Sequence, residues 1–132
     1  MANPSRLART RAAEVRRRQA ALGRGDVVLV TFPFTDLAGE KLRPALVVGR
    51  PFGDDVIMAF ITGRAGVAAA AAELAIAPQD PEFAPTGLRV ASRVRLNKIA
   101  TLHRNLVRRR LGRIGPRTRR AVDRGLRYVF DL

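Results

Sequence analysis

The sequence predicts a mainly β domain: a small, largely antiparallel, barrel-like sheet closed by a C-terminal helix. Three observations predict it. Short apolar runs rich in β-branched residues recur between turn formers from Gly25 onward. Apolar residues at helical spacing backed by charges appear only after Pro116. The 132 residues are enough for one domain with a core that needs no disulfide.

Residues 1–24 come first, with seven arginines set against Glu14. Leu7, Val15 and Leu22 make only a thin stripe, so this stretch is expected to be a basic arm, helical when bound and frayed otherwise. Its competing reading is a solvated extension. The globular domain is expected over residues 25–132. Its first strand, Val27 to Phe32, is apolar on both alternating faces and stops at Pro33, which cannot donate to a ladder. Thr35, Asp36 and Gly39 are turn formers in the polar loop that follows. Lys41 and Arg43 then precede Pro44 and the second strand, Ala45 to Val48, which puts Arg43 at the mouth of a sheet.

A third strand, Val56 to Ile61, is introduced by Asp54 and Asp55 and ended by Thr62, Gly63 and Arg64. The alanine-rich 66–72 stretch feeds Glu73 to Ala77, which alternates like a strand. Pro78 to Gly87 has the prolines of a rigid loop. Val90 to Leu102 is a further strand or pair, and Leu106 to Ile114 another, heavily basic. Pro116 suits the first turn of a helix. Beyond it Val122, Leu126, Val129 and Phe130 share a face, with Arg117, Arg120, Arg124 and Arg127 off it.

Charge narrows the function. Twenty-five Lys and Arg against eleven Asp and Glu leave +14, and all the basic residues except Lys41 and Lys98 are arginine. Such an excess suits a polyanionic partner, and arginine suits planar, forked contacts to phosphate or carboxylate. A GC-rich coding bias is the competing explanation. No cysteine is present, so disulfides and thiolate metal sites are excluded. The apolar runs are too short to span a bilayer and no secretory leader is evident, so a cytoplasmic protein without membrane contact is expected.

Most catalytic chemistries lack their residues. One histidine and scattered acids give no metal-ligand spacing, so neither metal nor cofactor is expected. The phosphate-cradling Gly-x-x-x-x-Gly-Lys does not occur. His103 has no acid near it in sequence and reads as a solvated side chain on a basic strand. What remains is a reaction whose nucleophile the substrate supplies. RNA carries a 2′-hydroxyl beside the scissile phosphate, and a protein that aligns it and neutralises charge at phosphorus can cut without a metal. The products would be a 2′,3′-cyclic phosphate and a 5′-hydroxyl.

The stretches GDVVLVTFPFTDLAGEKLRPALVV, VIMAFITGR and GLRVASRVRLNKIATL, followed by a basic strand and a terminal helix, resemble the MazF/PemK family, the toxin halves of bacterial toxin–antitoxin pairs. The resemblance runs from about Gly25 to the C-terminus. It implies an SH3-like barrel of the PemK/CcdB type working as a homodimer. It implies a metal-independent, sequence-selective endoribonuclease acting on single-stranded RNA such as mRNA, and a cognate antitoxin whose acidic C-terminal tail occupies the RNA groove. In the family pattern the arginine before the proline and the threonine after the third strand carry catalysis; they match Arg43 and Thr62.

An arginine does not readily lose its proton, so Arg43 is expected to hold non-bridging phosphate oxygens rather than act as a base. Thr62 is expected to hydrogen-bond a phosphate oxygen or the 2′-hydroxyl. The mechanism requires both on one side of the fold and neither buried. The competing readings are a structural pair of Arg43 with Asp26 or Asp36, and Thr62 as a strand-end turn residue. Phe34 and Thr35 are RNA-binding candidates in the first loop, Phe34 by stacking on a base or else as a core plug. Lys41 and Arg64 would track the RNA backbone. Arg95 and Asn97 match a segment where Kid-type relatives place an arginine and an aspartate; Asn97 supplies no acid. A non-catalytic, CcdB-like gyrase poison and a basic nucleic-acid binder are the alternative functions.

Overall fold

A computed structural model describes residues 22–31, 41–63 and 70–132. The 1–21 part of the arm, the loop bearing Phe34 and Thr35, and Arg64 lie outside the described residues. Six strands, β1 (Asp26–Thr31), β2 (Leu42–Val47), β3 (Asp55–Thr62), β4 (Glu73–Ile76), β5 (Ser92–His103) and β6 (Val107–Arg113), precede one long helix, α1 (Pro116–Val129). All the pairings are antiparallel and the order across the sheet is β4-β5-β3-β2-β1-β6. This is the expected class, a mainly antiparallel β protein with a C-terminal helix. No described helix is long and apolar enough to cross a membrane.

Alternation along the strands gives the sheet two apolar faces. Val27, Leu46, Ala59, Ile61, Val94 and Leu96 form one core with Val122 of α1 and Phe83 of the 77–88 loop. Val28, Val30, Ala45, Val47, Val56 and Met58 form the other, with Leu22, Leu102 and Val107. Strands β1 to β3 are therefore apolar on both sides, which is why they lack a simple polar alternation. Leu22 is buried and the Arg24 Nε donates to the Val48 carbonyl at 2.9 Å, so the chain is tied to the sheet ahead of Gly25.

The Gly-Asp opening has a structural reason. Gly25 takes φ +98, a conformation that favours glycine, and donates to Val47 O at 2.9 Å. Asp26 is 1% exposed, and its carboxylate accepts from Gly23 N at 2.8 Å and from Arg113 Nε at 3.0 Å. Arg110 Nε stands 3.2 Å away. A buried carboxylate is tolerable only with such partners, and here it joins the chain's entry to the basic strand β6.

The structure corrects or sharpens the sequence reading at four points. The strand that begins after Arg43 begins before it: β2 includes Leu42, Arg43 and Pro44. Val90 to Leu102 is one strand, Ser92–His103, with a bulge where Phe60 pairs with Arg95 but Ala59 with Ile99. Phe130 is 57% exposed because α1 ends at Val129, so it does not join the buried face. Gly125, absent from the expected stripe, packs directly on β5: a Cβ there would lie 2.2 Å from Leu96 Cδ1.

Candidate active site

Pro44 decides how the sheet ends beside the first loop. Val48 N donates to Ile57 O across the β2–β3 boundary at 3.0 Å. Main-chain groups alternate sides along a strand, so Leu46 and residue 44 also turn theirs toward β3. Proline has no N–H, and the β2–β3 pairing stops at Ala45↔Phe60. Continuing that register two residues sets Arg43 across from Thr62, beyond the last rung.

Partners in an antiparallel register share a face, so Arg43 and Thr62 project to the same side. Arg43 is exposed and Thr62 half-buried. Arg43 pairs with Val30 on β1, and Thr62 with Arg93 on β5. The pair of Arg43 with Asp26 does not form, because Asp26 is taken by Arg110 and Arg113. No described carboxylate forms an ion pair with Arg43.

The next row of side chains on that face reads Glu73, Arg95, Phe60 and Ala45 across β4, β5, β3 and β2. Glu73 bridges the rows: its Oε2 lies 3.2 Å from Arg93 NH1 and its Oε1 3.4 Å from Arg95 Nε. Arg95, expected to bind RNA, is thus brought to the same face as Arg43 and Thr62. Arg93 and Glu73 were not singled out from sequence; Glu73 in an alternating edge strand opposite an arginine-rich strand was the signal available. Asn97 is exposed in the β5 bulge, and Lys41 is exposed ahead of β2. Phe34, Thr35 and Arg64 lie outside the described residues.

On the other face of the sheet at this same end, a cleft of about 640 Å³ is lined by Leu29, Pro44 and Gly63, which alternate with Arg43 and Thr62 along their strands, together with Arg89, Arg109 and Arg110. Its wall depends on two glycines. A Cβ on Gly87 would lie 2.1 Å from Leu111 O, and one on Gly112 2.1 Å from Pro85 O, so the 83–88 loop lies directly against β6. His103, remote in sequence from any acid, has Asp54 Oδ2 at 3.4 Å from its Nε2 and accepts Asn105 N–H at Nδ1. This cluster is at the opposite end of β3 from Thr62. Among the described residues no three of His, Asp and Glu converge as metal ligands.

Solved structures with this fold are toxins and toxin–antitoxin complexes. An endoribonuclease in complex with its cognate antitoxin from a mycobacterial species superposes with TM-score 0.65 at 21% identity, covering 85% of this chain and 97% of that one. The Mycobacterium tuberculosis toxin MazF-mt6 gives 0.64 at 22% identity, covering 81% and 97%. A MazE-MazF structure from Deinococcus radiodurans gives 0.64 at 21%, covering 84% and 97%. At these identities the likeness establishes the fold. Comparison with curated protein sequences finds no match. The model of the PemK-like, MazF-like toxins of type II toxin–antitoxin systems matches residues 23–130, and the chain belongs to that family.

Proposed function

We propose that this protein is an endoribonuclease toxin that cuts single-stranded RNA, mRNA included, with no metal or cofactor. The observation that carries the reading is the β2–β3 register, which brings exposed Arg43 and half-buried Thr62 to one face just beyond its last pair. A phosphodiester laid there meets a permanent cation and a hydroxyl on neighbouring strands. Thr62 fixes the 2′-oxygen and phosphorus for in-line attack. Arg43 binds the non-bridging oxygens and stabilises the charge that grows on them. The 2′-oxygen forms a bond to phosphorus, the 5′-oxygen leaves, and the 2′-proton passes to solvent while water protonates the leaving group. A 2′,3′-cyclic phosphate and a 5′-hydroxyl result.

Arg95, Lys41 and Asn97 line the RNA path on this reading, with Phe34, Thr35 and Arg64 contributed by the loops. The active form is a homodimer in the cytoplasm. The nuclease domain spans residues 25–132 with Leu22 to Arg24 packed on it, and the residues before them are a basic arm. A cognate antitoxin with an acidic C-terminal tail would compete for the same cations, a reading supported by the antitoxin complexes among proteins of this fold.

The test is a fluorogenic RNA incubated with EDTA. Cleavage is expected to persist and to stop when the 2′-hydroxyl at the cut site is replaced by hydrogen. Scission of the deoxy-substituted strand would end the mechanism. Salt-sensitive binding with no cleavage at all would favour a non-catalytic module.

A further inference from the structure

We infer that Arg93 and Arg95 form a second phosphate-binding subsite beside Thr62, and that Glu73 is the positioning residue holding this fork in place. The inference deepens the proposed ribonuclease reading of Arg43 and Thr62 and rests on it.

The register brings the parts together. Thr62 pairs with Arg93 and Phe60 with Arg95, while Glu73 pairs with Arg95 from the far side of β5. All five side chains share the face of Arg43. Only the β5 bulge makes this possible, because a regular ladder continued from Ala59↔Ile99 would set Lys98 against Phe60. The bulge shifts the strand so that arginines, and not Lys98, face β3.

The chemistry follows from what Glu73 touches. Its side chain is 10% exposed and each carboxylate oxygen meets a different arginine. With both oxygens so occupied, Glu73 orients guanidinium groups and does not accept the 2′-hydroxyl proton. Arg93 is 15% exposed and turned to Glu73, so the cation that meets solvent here is chiefly Arg95. Arg95 Nε is buried 3.4 Å from Glu73 Oε1, an ion-pair contact with no hydrogen bond, yet the side chain as a whole is 40% exposed. The part of Arg95 that reaches solvent is therefore not the part that Glu73 holds. Arg95 lies diagonally from Thr62, one strand across and two residues along, so a phosphate neighbouring the scissile one meets this surface about 7–8 Å from Thr62. The fork is already aligned before RNA arrives, so little rotamer entropy is lost on binding.

The carboxylate also opposes the RNA it helps to place. Removing its charge while keeping its shape should therefore separate affinity from rate. Wild type, Glu73→Gln and Arg95→Lys would be compared in single-turnover cleavage of an RNA oligonucleotide. Binding would be followed by anisotropy of the same oligonucleotide with one 2′-deoxy substitution at the cut site. For Glu73→Gln we expect the Kd to fall about threefold and the cleavage rate to fall about tenfold. For Arg95→Lys, which keeps the charge and loses the fork, the rate should fall about tenfold with Kd changed less than twofold. An unchanged rate in Glu73→Gln, or a rate loss matched by weaker binding, would overturn the inference. If Glu73→Gln does not fold, an unchanged rate in Arg95→Lys overturns it instead. A wild type that binds and does not cut sinks the ribonuclease reading; Glu73 is then judged on binding alone, and must still oppose it.

Discussion

Arg43 stands at an exposed strand end with no described carboxylate to answer its charge, which on the proposed reading leaves it for an incoming phosphate. Arg43→Ala is expected to lower kcat by about 10²–10³-fold, the usual effect of deleting one preorganised donor to a transition-state anion. Its melting temperature should hardly move, because substitution of an exposed residue is usually within about 0.5 kcal/mol. Thr62→Val keeps the shape and removes the hydroxyl; a clear drop in kcat with KM little changed is expected in the same assay. Both residues were legible in the sequence, since Arg-Pro before an apolar run and Thr-Gly after one mark strand ends. Glu73 and Arg93 were not. Their meeting depends on a bulge within β5, and a strand's pairing register cannot be taken from its own residues when apolar and basic residues alternate all along it. The cost of a wrong register is a whole face: one residue of slip would exchange Arg93 and Arg95 for Val94 and Leu96.

At the scale of elements, α1 is held by a residue far from it in sequence. Glu82 accepts from Thr118 Oγ1 at 2.7 Å, from Thr118 N at 2.8 Å and from Arg117 N at 3.1 Å, and so caps a helix whose own N-cap is Gly115. The Thr118 hydroxyl, then the Thr118 N–H, hold the Glu82 carboxyl below its ordinary value of 4.5. A carboxylate with a lowered folded pKa stabilises the fold above its unfolded pKa, and that contribution is lost as pH falls through the folded value. The difference in melting temperature between wild type and Glu82→Gln should therefore be constant above about pH 5 and shrink at lower pH. A gap that stays constant to pH 2 would show that this cap does not titrate as described. Gly112→Ala tests the other loop contact. Its Cβ would meet backbone atoms of Pro85 and Thr86 that cannot rotate away, and a loss of about 1–3 kcal/mol is expected in denaturant unfolding. The helix was legible from Pro116 and its apolar spacing. Glu82's capping role was not, because it arises only when the 77–88 loop folds back.

The whole molecule carries +14 and uses its few acids to hold its many arginines. Asp26, Glu73, Asp80 and Asp123 each pair with at least one arginine, and Asp54 with Arg104. What charge remains is available to a polyanion. RNA binding should weaken as salt rises, with a log–log slope of about −0.7 per neutralised phosphate on a single strand. An acidic peptide should compete with RNA and show the same sensitivity to salt. Measured binding that ignores ionic strength would remove the electrostatic basis of the proposed function. Composition was enough to suggest a polyanionic partner; it could not distinguish cations held in internal pairs, such as Arg113, from those outside them.

Pro44 has one further effect at this scale. Two neighbouring strands with complete main chains tend to go on zippering until a turn stops them, and any groove between their ends would be stitched shut. Here the stitch is missing from the chain's own chemistry, so no amide hydrogen of residue 44 can draw the two strand ends together. Restoring an amide hydrogen with Pro44→Ala would let the seam run on past Arg43 and Thr62, trading an open mouth for a sturdier sheet.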